Sequence, residues 1–263
     1  MAVQSGVSTE RVQVGSTQLY VMKGGSGAPC LVLHGIEGHE GWLDFHDGLA
    51  TSNTVYAPSH PGYGHTPPPD WVTSVPQQAV FYQWFLQDAS LRDVDLIGIG
   101  LGGWIAAEMA VMDTSRLSHL VLVNAFGVRP HSVELFDIFV SRWRDVIEGG
   151  FSDAAQYQRI YGDNPIQEFG GIREAGRTMT MRLCFKPYMF DPALQGMLGK
   201  IRVPTLVVHA ENDAYVPREC ADIYARAIPD AESRSIDNCG HLAHIDQPAR
   251  LAALVTDFVS KRS

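Results

Sequence analysis

The residues most suited to chemistry sit at three widely separated places. The densest is Val94–Met109, VDLIGIGLGGWIAAEM, where an apolar run meets a helical pattern through Gly98, Gly100, Gly102 and Gly103. Glycines at that spacing let a strand backbone and a helix backbone pass very closely. They also satisfy G-x-G-x-x-G at Gly98, Gly100 and Gly103. A dinucleotide site, however, needs that motif after the first strand of a βαβ unit, with an acidic residue about 20 positions on. Here the strand is a late one and no acidic strand end follows. A phosphate loop would require Gly-Lys-Ser/Thr, which is absent. A tight structural turn remains open. Elsewhere, Asp213 stands in AENDAYVP and His241 in NCGHLAHIDQP. Taken singly, these are a surface carboxylate and a loop histidine.

Other clusters are weaker. The chain has ten histidines, of which His34, His39 and His46 lie close together. They lack the helical spacing and carboxylate partner of a zinc pattern, so no metal is expected. The four cysteines, Cys30, Cys184, Cys220 and Cys239, form no C-x-x-C and read as free thiols in a reducing compartment. Cys239, two residues before His241, is the one thiol near the candidate histidine.

These residues must be positioned by alternating elements. Strand-length apolar runs are predicted at Arg11–Val14, Gln18–Lys23, Cys30–Leu33, Asn53–Ala57, Val94–Ile99, Leu117–Val123, Pro204–His209 and Ser233–Ile236. Continuous runs such as CLVL, VDLIGI, LVLV and TLVV suit strands buried on both faces of a mostly parallel sheet. Between about Phe126 and Lys200 the spacing turns helical (LFDIFVSRWRDVIEGG, SDAAQYQRIYG). That stretch is too long for a loop and reads as an inserted lid. The expected organisation is one domain: core 1–126, helical lid 127–200, core 201–263.

Composition is that of a globular protein, 45% hydrophobic and 19% charged. A net charge of -9, with no basic cluster, argues against nucleic acid or anionic membrane as partners. No apolar run approaches ~18 residues, and MAVQSGVSTERVQV has no signal-peptide pattern. A cytoplasmic protein with a small-molecule partner is expected, and a homodimer is left open.

Taken together, these segments resemble the lidded α/β-hydrolase superfamily, including esterases, lactonases and meta-cleavage-product C–C hydrolases. His34–Gly35 after CLVL resembles the oxyanion loop. Asp213 after TLVVHA occupies the place of the triad acid, and His241 after the last strand that of the triad histidine. SHPGYGHT (Ser59–Thr66) and GGWIAAE (Gly102–Glu108) resemble family segments as well. The resemblance implies an α/β-hydrolase fold without cofactor. It also implies a His241–Asp213 pair in which the acid fixes the imidazole tautomer, with oxyanion donors on Ile36 and Leu101.

The departure is at the elbow G-x-S-x-G, whose nucleophile position is Gly100. Glycine takes the strained φ > 0 conformation freely but removes the acyl-forming oxygen. Four accounts follow: His241 activates water or takes a substrate proton; the protein only binds; the chain is a recently inactivated or engineered serine enzyme; or a nucleophile such as Cys239 comes from elsewhere. The first leads, as hydrolysis of a small apolar ester, lactone or C–C substrate, with a silent binder or a cofactor-independent lyase or oxygenase behind it. Glu37, His39 and Glu40 are expected to border the mouth of the pocket. Trp104, Phe136, Phe139, Trp143 and Tyr188 are expected as core or pocket wall. Arg142 and Arg144 are expected on a solvated face.

Overall fold

The computed structural model describes residues 6–39, 41–130, 133, 135–161 and 166–261. The chain opens with a hairpin, β1 (Ser8–Val14) and β2 (Thr17–Gly25), followed by β3 (Ala28–Leu33), α1 (Asp44–Ala50) and β4 (Asn53–Pro58). Then come α2 (Val75–Asp88), β5 (Val94–Ile99), α3 (Leu101–Met112) and β6 (Leu117–Val123). Helices α4 (Trp143–Glu148), α5 (Ala154–Tyr161), α6 (Ile166–Cys184) and α7 (Leu194–Met197) precede β7 (Thr205–Ala210). The chain closes with α8 (Arg218–Ala227), β8 (Ala231–Ile236), α9 (Ala243–Asp246) and α10 (Pro248–Lys261).

The eight strands form one sheet in the order β1-β2-β4-β3-β5-β6-β7-β8. The β1/β2 and β2/β4 pairs are antiparallel, and every later pair is parallel. All eight predicted strands are present, and β5 and β6 have the predicted limits. The others differ by one to three residues at an end, where neighbouring strands extend the ladder past the apolar run.

Each residue of β5 and of β7 is buried, as a strand covered on both faces requires. One face packs against α2, α3 and α8 through residues such as Leu31, Phe85, Leu96, Ile105 and Tyr224. The other packs against α1 and α10 through Val32, Phe45, Ile97, Val121 and Leu251. Fully burying one such side chain contributes roughly 1.5–3 kcal/mol, so the two faces hold the sheet rigidly. Helix α2 is started by Ser74, whose hydroxyl accepts the Gln77 N–H, with Pro76 in the first turn. The edge strand β8, AESRSI, is mostly solvated and carries little apolar signal. Between β6 and β7 the regular elements among the described residues are helices joined by turns and loops, apart from one isolated bridge between Gly127 and Phe190. Among the described residues no helix is long and apolar enough to cross a membrane.

A very close backbone crossing lies at the junction of β5 and α3. A Cβ on Gly98 would lie 2.3 Å from the Gly102 carbonyl oxygen, and one on Gly102 would lie 2.1 Å from the Leu33 carbonyl oxygen. Backbone atoms on three elements cannot all retreat. Gly102→Ala is therefore expected to cost at least about 3 kcal/mol in urea denaturation, whereas Gly199→Ala should stay within about 0.5 kcal/mol. Gly199 has only the Ala227 carbonyl oxygen near its Cβ position, at 3.9 Å.

Candidate active site

Gly100 is the N-cap of α3, at φ 53° and ψ −112°. This is the strained turn expected between β5 and α3, and glycine adopts it without penalty. Its N–H donates to the Val123 carbonyl at 2.9 Å, and its own carbonyl accepts the Phe126 N–H at 3.1 Å. The turn is thereby anchored to the end of β6. Leu101 begins the helix, so its N–H belongs to the first turn, where no intrahelical acceptor exists.

His241 and Asp213 are brought together. Nδ1 of His241 donates to Asp213 Oδ2 at 2.8 Å, and both side chains are essentially fully buried. The other oxygen of Asp213 accepts the N–H groups of Tyr215 at 2.8 Å and Val216 at 2.9 Å. With the acid held on both oxygens, the Nδ1–H tautomer of the imidazole is fixed and Nε2 is left as the acceptor. Nε2 is buried without a hydrogen-bond partner among the described residues. A Cβ on Gly100 would lie 2.9 Å from it and 3.6 Å from the Gly35 Cα. The imidazole thus reaches into the space of the missing side chain. Burial alone would lower the His241 pKa; the Asp213 charge and hydrogen bond, together with the Glu37 carboxylate, outweigh it and raise the pKa. The rings of Phe126 and Tyr215 flank the imidazole, each with its centroid 5.2 Å away.

Two further residues hold this loop. Asn124, at φ 46° after β6, donates to the His241 carbonyl at 2.9 Å and accepts the Ala210 N–H at 2.8 Å. Asp246 accepts N–H groups from Gly240 and Ser152, both at 2.8 Å. Neither stood out in the sequence. An Asn closing an apolar strand, and a carboxylate in the turns after GH, were the available signals.

The loop after β3 faces inward. His34 Nδ1–H donates to the Gly35 carbonyl at 2.8 Å, and Nε2 accepts the His60 N–H at 3.0 Å. Both nitrogens are therefore spent on bracing the loop, and the ring stacks on His60 at 3.6 Å. Gly35 donates its N–H to Glu37 Oε1 at 2.7 Å. Ile36 is buried, with its side chain in the core beneath the loop. Glu37 and His39, expected at a pocket mouth, turn into the protein instead: His39 Nε2–H donates to the Ala57 carbonyl at 3.2 Å. Loop amides and carbonyls that turn away from water need partners, and these side chains supply them. Glu40 lies outside the described residues, as does the side chain of Trp143.

Cys239 is buried with Sγ toward the Gly240 carbonyl, and burial pushes its thiol up to about 12, so no thiolate is at hand. Trp104 is buried and donates Nε1–H to Glu108. Phe136 packs on Tyr215, while Phe139 and Tyr188 pack edge to face. Arg142 and Arg144 lie on the solvated face of α4, facing Asp145 and Glu148.

A sequence model described as the alpha/beta hydrolase family matches residues 30–254, and the chain belongs to that family. Among curated relatives it is 24% identical to the 2-hydroxy-6-oxo-6-(2'-aminophenyl)hexa-2,4-dienoic acid hydrolase of Metapseudomonas resinovorans, over 96% of this chain and 91% of that one. It is 27% identical to the dihydrolipoyllysine-residue acetyltransferase component of the acetoin cleaving system of Cupriavidus necator. There the match takes in 90% of this chain but 64% of the relative's length. Its fold superposes on a meta-cleavage product hydrolase from Pseudomonas fluorescens IP01 with a TM-score of 0.80, at 19% identity, covering 97% of this chain and 98% of the other.

The histidine-rich surroundings have a consequence for stability. Burial first of all lowers His39 to a pKa of about 4 and His46 and His60 to about 3. These groups stay neutral in the fold but protonate near 6.5 when unfolded, so stability falls as pH drops below 6.5 and continues to fall down to about 3. At pH 5 each represents roughly 2 kcal/mol. Glu108, raised to about 7 by burial, and His241, also raised, act in the opposite sense. They are two groups against five, because burial lowers His34 and His209 as well. Urea denaturation between pH 7 and 5 should show the steep loss, and His46→Gln should flatten it.

Proposed function

We propose that this protein hydrolyses a small, mainly apolar ester, lactone or carbon–carbon substrate without a covalent intermediate, with His241 as general base and Asp213 as its orienter. His241 Nε2, directed at the empty side-chain position of Gly100 with Asp213 locked behind it, is the observation that carries this proposal. Water attacking the carbonyl carbon would lose its proton to Nε2 as the carbonyl π pair moves onto oxygen. The N–H groups of Leu101 and Ile36 would bind that oxygen. As the tetrahedral species collapses, the same proton passes to the departing oxygen or carbon. Residues 127–200 would serve as a lid that shapes the substrate space. The hydrolases among the relatives support this reaction class, and the α3 N-terminus supports an oxyanion at that point.

Gly100 rules out acyl-enzyme chemistry at the elbow, since the attacking oxygen would have to come from its side chain. The alternative is a protein that binds a small molecule and turns nothing over. The two are separated by testing the wild type, His241→Ala and Gly100→Ser side by side on activated esters, lactones and vinylogous C–C substrates. The wild type is expected to show turnover that falls by about 10²–10⁴ in His241→Ala. Gly100→Ser is expected to become labelled by a fluorophosphonate once the imidazole gives way by a few tenths of an ångström. If no substrate in the panel shows a rate that depends on His241, the protein is a binder. If serine alone raises turnover by many orders of magnitude, it is an inactivated or engineered serine enzyme.

A further inference from the structure

The loop after β3 and the loop carrying His241 come from opposite ends of the chain, and a second carboxylate–imidazole couple joins them. Glu37 is buried, its side chain wholly so. Its Oε1 accepts the Gly35 N–H at 2.7 Å and lies 3.3 Å from Nε2 of His244 on α9, three residues beyond His241. Oε2 has no hydrogen-bond partner among the described residues and lies close against the Gly35 backbone. A Cβ on Gly35 would be 2.4 Å from Oε2, so the carboxylate can tuck in only because residue 35 is glycine. The Gly35 Cα in turn stands 3.6 Å from the Gly100 Cβ position, which is 2.9 Å from His241 Nε2. Glu37, Gly35 and His241 are therefore grouped around the Gly100 turn.

A buried carboxylate needs hydrogen bonds and an opposing charge to remain ionised. Glu37 has both. Burial works against its ionisation, but His244 and the neighbouring N–H groups hold its pKa below the usual carboxylate range. We propose that Glu37 is a positioning residue of this site: with His244 it latches the loop after β3 to the histidine loop, and it holds a fixed negative charge beside His241. This rests on His241 being the base of the reaction.

The groups that face His241 can be named. Asp213 and Tyr215 come from the loop after β7, Glu37 from the loop after β3, Phe126 from the segment after β6, and Cys239 and His244 from its own loop. Burial holds the Tyr215 phenol and the Cys239 thiol well above their usual ranges, so both stay neutral. Two carboxylates then raise the basicity of His241, one bonded to Nδ1 and one acting through space. Gln at position 37 keeps an acceptor for the Gly35 N–H and removes only the charge.

Two measurements on the full chain, neither needing a known substrate, test the two halves of the proposal. In Glu37→Gln, an NMR titration of the His241 imidazole should move to lower pH by at least half a unit. The acid limb of the pH–rate profile should follow by the same amount for any substrate from the panel. In His244→Ala, hydrogen exchange of the Gly35–Gly38 amides should quicken at least tenfold. An unmoved His241 titration in folded Glu37→Gln overturns the charge role, and unchanged exchange in His244→Ala overturns the latch. Should Glu37→Gln fail to fold, the exchange measurement alone decides. A panel without His241-dependent turnover would sink the hydrolytic reading while leaving both of these outcomes readable.

Discussion

The site depends on how closely backbone passes backbone where β5 becomes α3. The Leu33 carbonyl, the Gly98 Cα and the first turn of α3 are in mutual contact, with no room for a side chain on Gly98 or Gly102. That contact brings the end of β3 beside the start of α3, so the loop after β3 must pass over Gly100. The hydrogen bonds from Gly100 to Val123 and from Phe126 to Gly100 bring the end of β6 to the same point. Asn124, one residue past β6, then reaches both β7 and the His241 carbonyl. The meeting of His241 with Gly100 is thus a result of strand order, with each parallel strand ending at the same edge of the sheet.

At that meeting point the energetic balance is unusual. A buried donor or acceptor left unpaired costs about 1–3 kcal/mol, and Nε2 of His241 is such an acceptor. In a serine enzyme the nucleophile's hydroxyl would satisfy it. On the proposed reaction, its partner would be a water or a substrate group with a proton to give. Meanwhile Asp213 is held by three hydrogen bonds and donates none, so its charge can be met only by the imidazole. On the proposed reaction, the pair would accept a proton at Nε2 and stabilise the resulting imidazolium.

Much of this was legible in the sequence, for a definite reason. Strands buried on both faces must be continuously apolar, so β3, β5, β6 and β7 announce themselves in CLVL, VDLIGI, LVLV and TLVV. Asp213 and His241 are paired through the resemblance and its chain order. The ends of parallel strands fall at one edge of the sheet, which explains why that order brings them together. The direction of side chains in the loop after β3 was not legible. His34 turns toward His60, 26 residues away, and Glu37 toward His244, at the other end of the chain. No local pattern encodes contacts of that range. The polarity of Glu37 and His39 suggested solvent, but loop backbone that turns inward needs polar side chains just as much.

A glycine at position 100 would, on the proposed reaction, alter what the histidine must be. A serine alkoxide is needed only briefly and is generated at a fixed distance from the base, so a modest base serves. Water is held less firmly and has a bulk pKa of 15.7, so more of the barrier falls on the strength of the base itself. Base strength in a buried imidazole is set by the charges around it, and burial here opposes it. Asp213 supplies the main correction, as in any triad. Glu37 adds a second, at the cost of placing a negative charge near where an oxyanion would form and of taking up the Gly35 N–H. His244 Nε2 lies 3.3 Å from Oε1 of that carboxylate. On the proposed reading, the charge Glu37 adds would therefore trade basicity at His241 against stabilisation of the oxygen that its proton transfer creates.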